Sequence, residues 1–239
     1  MKIIVLRTGD VAVPVAEKRG EFDRLIRETV APVYSGGWET IDLRREGALH
    51  ELKPSSADAF VITGGAASVV DRDAWLVEGE AFIRELDRAK APVLGICLGH
   101  QMIAQALDGE VVQNPLGREI GTVAVETIAD DPLFTGLGPA FTVNATHVDT
   151  VGRLPPRARV LARTALEPTA AFAIDDHIRA VQFHPELDDD AMRGYVTARR
   201  ERIEGEGLDF ECIYDRVNAG DSNGRVLRNF FTHFVLKKK

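Results

Sequence analysis

Apolar residues in this chain fall into two kinds of grouping. Short uninterrupted runs such as Ile3-Ile4-Val5-Leu6 and Phe60-Val61-Ile62 have the length and β-branched content of strands buried on both faces. Between such runs the apolar positions recur with helical spacing: Phe22, Leu25, Ile26 and Val30 form one face, and Phe82, Ile83 and Leu86 another. Strands over 2–6, 39–43, 59–63 and 92–96 thus alternate with helices, an order that predicts an α/β fold with a mostly parallel sheet and helices on both faces. After Gly109 the character changes. Strand-like stretches at 119–127, 140–144, 160–165, 170–174 and 178–183 follow one another across Pro, Gly and Asp turns, which predicts an antiparallel extension of the same sheet. From Asp188 onward the pattern is helical again, with one stripe through Phe210, Ile213, Tyr214 and Val217 and a second through Val226, Leu227, Phe230, Phe231 and Phe234. Between them Asp221-Ser222-Asn223-Gly224 reads as a turn and helix start, with a small anion or substrate loop as the alternative. Residues 8–20 read as a long, partly apolar loop. There are no repeats and no linker-like segment, so the expected organisation is a main domain over 1–187 with a helical extension, 188–239, packed on it.

Composition narrows the function classes. The 239 residues are 45% hydrophobic, enough for a sizeable core, and the net charge of −8 argues against a nucleic-acid surface. Arg193 to Arg202 is interleaved with glutamates and reads as a solvated helix face, with a docking surface as the alternative. The terminal Lys237-Lys238-Lys239 is too short to carry meaning. No apolar stretch approaches the roughly 20 residues that span a bilayer, so no membrane is expected. The chain opens directly on a strand pattern, so no secretory leader is expected either. Cys97 and Cys212 are the only cysteines, too few for a disulfide framework, and a free thiol fits a reducing cytoplasm.

One of those cysteines lies in the most informative run of the chain, Pro92-Val93-Leu94-Gly95-Ile96-Cys97-Leu98-Gly99-His100-Gln101. A cysteine between a buried strand and a helix sits where unpaired backbone N–H groups and the positive end of the helix dipole favour a thiolate. Gly95 and Gly99 leave room for a sharp turn. A buried structural cysteine is the alternative reading of a lone thiol.

This run resembles the nucleophile turn of class I glutamine amidotransferases, the triad-type glutaminase domains. Two further elements fit in the same order: Thr63-Gly64-Gly65 after an apolar run, and Gln182-Phe183-His184-Pro185-Glu186 after another. The resemblance covers about residues 60–186 and implies a flavodoxin-like, mostly parallel sheet. It implies Cys97, His184 and Glu186 as a catalytic triad, with the backbone N–H groups of Gly65 and Leu98 as the oxyanion hole. Cys97 would attack the side-chain amide of glutamine to give a γ-glutamyl thioester, His184 would protonate the departing ammonia, and Glu186 would orient the imidazole. Ala66 stands where many relatives have proline, which leaves the Gly65 donor intact. Gln101 matches the family's substrate-contacting glutamine. Asn144-Ala145-Thr146-His147-Val148-Asp149 resembles the Ser-His-x-Asp loop of the GMP-synthase glutaminase branch, with Thr146 in place of serine. His147 would then line the glutamine pocket or the ammonia exit, or else cap a strand. His100 is expected to pack within the turn, and His50, His177 and His233 to be structural or exposed.

No cofactor and no metal site are expected, because no histidine pair has helical spacing and there is no Cys-x-x-Cys. Ser35-Gly36-Gly37 reads as a turn and not as an ATP loop. The leading expectation is a stand-alone glutaminase domain of the GMP-synthase type, acting on glutamine or a γ-glutamyl compound and handing ammonia to an acceptor synthetase or synthase on another chain. A γ-glutamyl peptidase using the same triad is the alternative, and a catalytically silent regulatory protein a further one.

Overall fold

The computed structural model describes residues 1–222 and 224–238. The chain begins with β1 (Lys2–Arg7), α1 (Val13–Arg19), α2 (Phe22–Val30), β2 (Gly37–Asp42), β3 (Ala59–Ile62), α3 (Ala74–Arg88), β4 (Val93–Ile96) and α4 (Leu98–Ala106). A strand-rich stretch follows: β5 (Glu110–Gln113), β6 (Glu119–Thr127), β7 (Ala140–His147), β8 (Asp149–Arg153), β9 (Ala158–Arg163), β10 (Ala171–Ile174) and β11 (Ile178–Val181). The last part is helical, α5 (Asp189–Ala198), α6 (Arg200–Gly205), α7 (Phe210–Arg216) and α8 (Arg225–Phe230), the last continuing into a short π turn, Phe231–Val235.

Nine strands form one sheet in the order β2-β1-β3-β4-β11-β10-β9-β6-β7. From β2 to β11 neighbours are parallel, and from β11 to β7 they are antiparallel. The fold is α/β, with the antiparallel extension that the sequence pattern predicts. Alternation along β1 shows how both faces are covered. Ile3 and Val5 join a core with Ile26, Val30, Val226, Phe230 and Phe231, while Ile4 and Leu6 join one with Leu76, Phe82, Ile83, Met102 and Ile103. The C-terminal helices therefore share cores with the first strands. A third cluster packs Val15, Phe22 and Leu25 against Met192, Tyr195, Val196 and Phe210.

Two sequence expectations are corrected. Residues 8–20 are not loop throughout, because Val13–Arg19 is a helix with Pro14 in its first turn, where a missing N–H costs nothing. Buried Val15 packs over Gly194 of α5, and Arg19 pairs with Asp188 at 2.9 Å, so tertiary contacts hold a helix too short to stand alone. The second concerns β5 and β8, short strands absent from the expected set, which pair with each other in a separate antiparallel ribbon. The expected turn at Asp221-Ser222-Asn223-Gly224 includes Asn223, which lies outside the described residues, as does Lys239 of the terminal lysines; the helix start itself falls at Arg225, after Gly224.

The parallel strands end on one side, where ligands of open α/β sheets gather. There β4 and α4 meet backbone to backbone. A Cβ on Gly95 would lie 2.6 Å from the Gly99 carbonyl oxygen, and one on Gly99 would collide with the Ile62 carbonyl oxygen of β3. We predict that Gly99→Ala lowers stability by about 1–3 kcal/mol, because the strand must move to admit the methyl group. Urea unfolding checks this, and an unchanged midpoint would contradict it.

Candidate active site

Cys97 stands between β4 and α4 with φ of 52° and ψ of −105°. A non-glycine residue pays about 1–3 kcal/mol for such a conformation, so its surroundings must hold it there. They do so from several sides: the Cys97 N–H donates to the Val181 carbonyl of β11 at 2.8 Å, and the Gly99 N–H to the Thr63 carbonyl after β3 at 3.1 Å. The result lifts the thiol off the end of the sheet into a buried position, with 6% of the residue exposed.

His184 comes from the segment after β11, anchored by its N–H to the Asn144 carbonyl of β7 at 2.8 Å. Its Nδ1 donates to Glu186 Oε1 at 2.7 Å, which leaves Nε2 for the cysteine. The Glu186 side chain is fully buried, and its other oxygen has no hydrogen-bond partner among the described residues, so the imidazole is its single polar partner. Phe22 stacks on the imidazole at 6.1 Å between centroids, and Tyr195 closes another side at 6.3 Å. Gly64 fits between the two side chains: a Cβ there would lie 2.7 Å from His184 Cε1 and 3.4 Å from Cys97 Cβ. The Gly64-Gly65 turn is itself held by Thr8, whose hydroxyl lies 2.9 Å from both the Thr63 and the Gly64 carbonyl oxygens and shares its single proton between them. The N–H groups of Gly65 and Leu98 have no acceptor among the described residues.

Electrostatics follow from this packing. Burial raises the Cys97 thiol pKa, but the charge and hydrogen bonding of His184 outweigh it, and the net shift is downward. Burial pushes His184 toward its neutral form, but Glu186 and Cys97 together hold its pKa well above the ordinary histidine value. Both shifts favour the thiolate–imidazolium form of the pair. His147, at the end of β7, faces acceptors with both nitrogens, Nδ1 to the Asp149 carbonyl at 3.0 Å and Nε2 to Glu119 Oε2 at 3.1 Å. Against the effect of burial, the hydrogen bond and charge of Glu119 raise its pKa, which favours the charged form of an imidazole whose two nitrogens both face acceptors.

A cavity of about 190 Å³ opens beside Cys97, lined also by Gly65, Gln101, Thr146, His147 and Asp149. Gln101 spends its amide NH₂ on the Asp149 carbonyl at 3.1 Å and Gln182 Oε1 at 3.0 Å, leaving its carbonyl for a ligand. All seven residues singled out from the sequence, Gly65, Cys97, Leu98, Gln101, His147, His184 and Glu186, meet in this one region. His100 is buried against Phe172, its Nε2 bonded to the Thr169 carbonyl at 2.8 Å, and burial lowers its pKa to about 3. It is a neutral core histidine.

The expectation of a solvated face for Arg193 to Arg202 holds for Arg193 and Arg200, which pair with Asp189 and with Glu204 and Glu211. It fails for Arg199, which is half-buried, whereas Arg202 is exposed. Both border the cavity, together with Arg118 just before β6, at the break between α5 and α6. No spacing in the sequence marks that break. Among the described residues one group, Asp87, Asp175 and His177, could bring three ligand atoms together. Its carboxylates already accept Arg157 at 2.6 and 2.8 Å and Lys90 at 3.0 Å, so the cluster is an ion-pair network. No helix of the described residues is long and apolar enough to cross a membrane.

Comparison with known proteins agrees with this geometry. The family model for glutamine amidotransferase class-I matches residues 33–199. The chain is 41% identical over 141 residues to the glutamine-hydrolysing GMP synthase of Thermomicrobium roseum, an alignment covering 57% of this chain and 24% of that enzyme. With a separate subunit of the glutamine-hydrolysing GMP synthase of Archaeoglobus fulgidus it shares 33% identity over 169 residues, 70% of this chain and 85% of that polypeptide. The crystal structure of a glutamine amidotransferase from Thermotoga maritima aligns with a TM-score of 0.79 at 22% identity, covering 99% of this chain and 98% of that one, a likeness of fold. The chain thus spans about a quarter of the Thermomicrobium enzyme and most of the archaeal polypeptide.

The shifts at Cys97 and His184 predict a reactivity profile with a definite sign. Alkylation of Cys97 by iodoacetamide should stay fast at pH values where an ordinary thiol is mostly protonated, because the imidazolium holds the thiolate. In His184→Ala burial and the Glu186 charge, which both raise the thiol, are opposed only by His147, so the rising limb should move to higher pH. A limb at the same pH in both proteins would contradict the ion pair.

Proposed function

The chain belongs to the class I glutamine amidotransferase family, and we propose that it hydrolyses the side-chain amide of glutamine to glutamate and ammonia. The observation that carries this reading is the buried Cys97–His184–Glu186 arrangement beside two backbone N–H groups that lack acceptors. The Cys97 thiolate adds to the amide carbon, and the developing oxyanion lies against the N–H groups of Gly65 and Leu98. One such donor is worth about 2.7–4 kcal/mol in the transition state. His184 delivers its Nε2 proton to the departing nitrogen, the C–N bond breaks, and ammonia leaves with the γ-glutamyl group held on Cys97 as a thioester. Neutral His184 then takes a proton from water, whose oxygen attacks the thioester; glutamate leaves and the thiolate–imidazolium pair is restored. Glu186 keeps Nδ1 protonated and compensates the positive imidazole throughout, remaining ionised itself.

A cavity of about 190 Å³ suits a single amino acid better than a peptide of several residues, which favours glutamine over a γ-glutamyl peptide. The relatives named as GMP synthases, whole or in separate polypeptides, support a partner that consumes the ammonia, so the acceptor in this reading is a synthetase or synthase on another chain. Residues 1–187 carry the triad and residues 188–239 form an extension packed on them. Cytoplasmic residence belongs to the same reading, since a free nucleophilic thiol persists in a reducing compartment.

Glutamate release from glutamine by the purified chain tests the activity. Cys97→Ala should abolish release, and Glu186→Ala should leave weak turnover from a mis-oriented imidazole. His184→Ala should also abolish it and should destabilise the fold by about 3–5 kcal/mol, because it strands the buried Glu186 carboxylate. Near-normal release by the Cys97 variant would overturn the assignment.

A further inference from the structure

We propose that Arg199 and Arg202 bind the α-carboxylate of the γ-glutamyl donor, so that the helices after Asp188 supply the charge recognition of the active site. The inference rests on the glutaminase reading above and names the residues that select its substrate. Three guanidinium groups, those of Arg118, Arg199 and Arg202, line the cavity that contains Cys97. Arg118 is already matched by Glu206 through two bonds of 2.7 and 2.8 Å. Arg199 and Arg202 have no acidic partner within ion-pairing distance among the described residues. Arg199 lies over the Tyr195 ring at 4.7 Å, which holds its plane in position, and its Nη1 is buried without an acceptor. A buried donor without an acceptor is costly, and more so when it is charged. Burial and the repulsion from Arg118 and Arg202 both work against the positive charge of Arg199. An anion delivered by the ligand relieves all three penalties together, and a carboxylate matches the fork of a guanidinium.

The ligand chemistry follows from the other charge at the cavity. Asp149 also lines it, with Oδ2 accepting the Ser68 hydroxyl at 2.5 Å. A site with a carboxylate and two uncompensated guanidiniums suits the zwitterionic head of an amino acid, the ammonium going to Asp149 and the carboxylate to the arginines. The cavity of about 190 Å³ has room for one small amino acid. Nucleic acid is a poor occupant, because these arginines border a small cavity on a chain of net charge −8. Arg199 is the last residue matched by the family model and Arg202 lies just beyond it, both after Asp188 in the C-terminal helical part of the chain.

Two readouts test the proposal. The first compares glutamine with 4-aminobutanamide, its counterpart lacking the α-carboxylate, in the wild type, Arg199→Gln and Arg202→Gln. Each substitution should lower kcat/KM for glutamine about tenfold or more, mainly through KM, and affect 4-aminobutanamide far less, since a bond to a charged group is lost only where the charge is present. Equal losses on both substrates would overturn the proposal. The second readout needs no turnover: the rates at which anionic iodoacetate and neutral iodoacetamide alkylate Cys97, followed on the Cys97 peptide to exclude Cys212. The iodoacetate-to-iodoacetamide ratio should fall in both variants. A lower ratio in a chain that releases no glutamate would uphold the anion site and reject the glutaminase reading, whereas an unchanged ratio in Arg202→Gln, the exposed and structurally milder change, would reject the anion site whatever the activity.

Discussion

A thiolate withdrawn from water needs a cation withdrawn with it, and this requirement organises the end of the sheet. Burial alone would leave Cys97 an inert thiol with a raised pKa. The imidazolium of His184 reverses that, but it too is buried and needs Glu186 behind it, at 2.7 Å, to stay charged. Glu186 has no other polar partner among the described residues. Each group in the series thiolate, imidazolium, carboxylate is thus tolerable in the interior because of the next one. Removing a member leaves a neighbour uncompensated, which is why the site is coupled to folding as well as to chemistry.

The backbone keeps these charges in register. The positive φ of Cys97 is sustained by hydrogen bonds to β11 and to the end of β3, two strands that flank β4 in the parallel part of the sheet. Thr8 at the end of β1 ties down the glycine turn whose N–H faces the same region. Phe22 of α2 and Tyr195 of α5 enclose the imidazole, so the helical extension is part of the wall of the site. In the reading proposed above, the same helices bring the charge that selects an amino-acid substrate, and the residues before them bring the chemistry.

Legibility of the sequence followed the strength of the local signal. Buried parallel strands announce themselves as continuous apolar runs, and β1, β3 and β4 were readable to within a residue or so at their ends. Cys97 was readable from its place where such a run meets a helix, whereas His184 and Glu186 were readable through the resemblance of their segment to the amidotransferase motif. Short elements were less visible. β5 and β8 are four and five residues long, with mixed burial and no alternation to mark them, and α1 is helical because Val15 docks on α5. Arg199 and Arg202 were hidden for a different reason. An arginine among glutamates looks solvated in sequence, and Arg202 is indeed exposed; that both border the cavity depends on the break between α5 and α6. His147 was legible as a candidate for the cavity wall, but its pairing with Glu119 depends on the β6–β7 register, which brings Glu119 opposite His147.

The central claim is that Cys97 carries the γ-glutamyl group between the two halves of the reaction. Acid quenching of the chain during turnover of glutamine, followed by mass analysis of the Cys97 peptide, tests it most directly. The account predicts a γ-glutamyl adduct on Cys97 that disappears once glutamine is exhausted and is absent from the Cys212 peptide. Turnover with an unmodified Cys97 peptide throughout, or with the adduct on another residue, would contradict it.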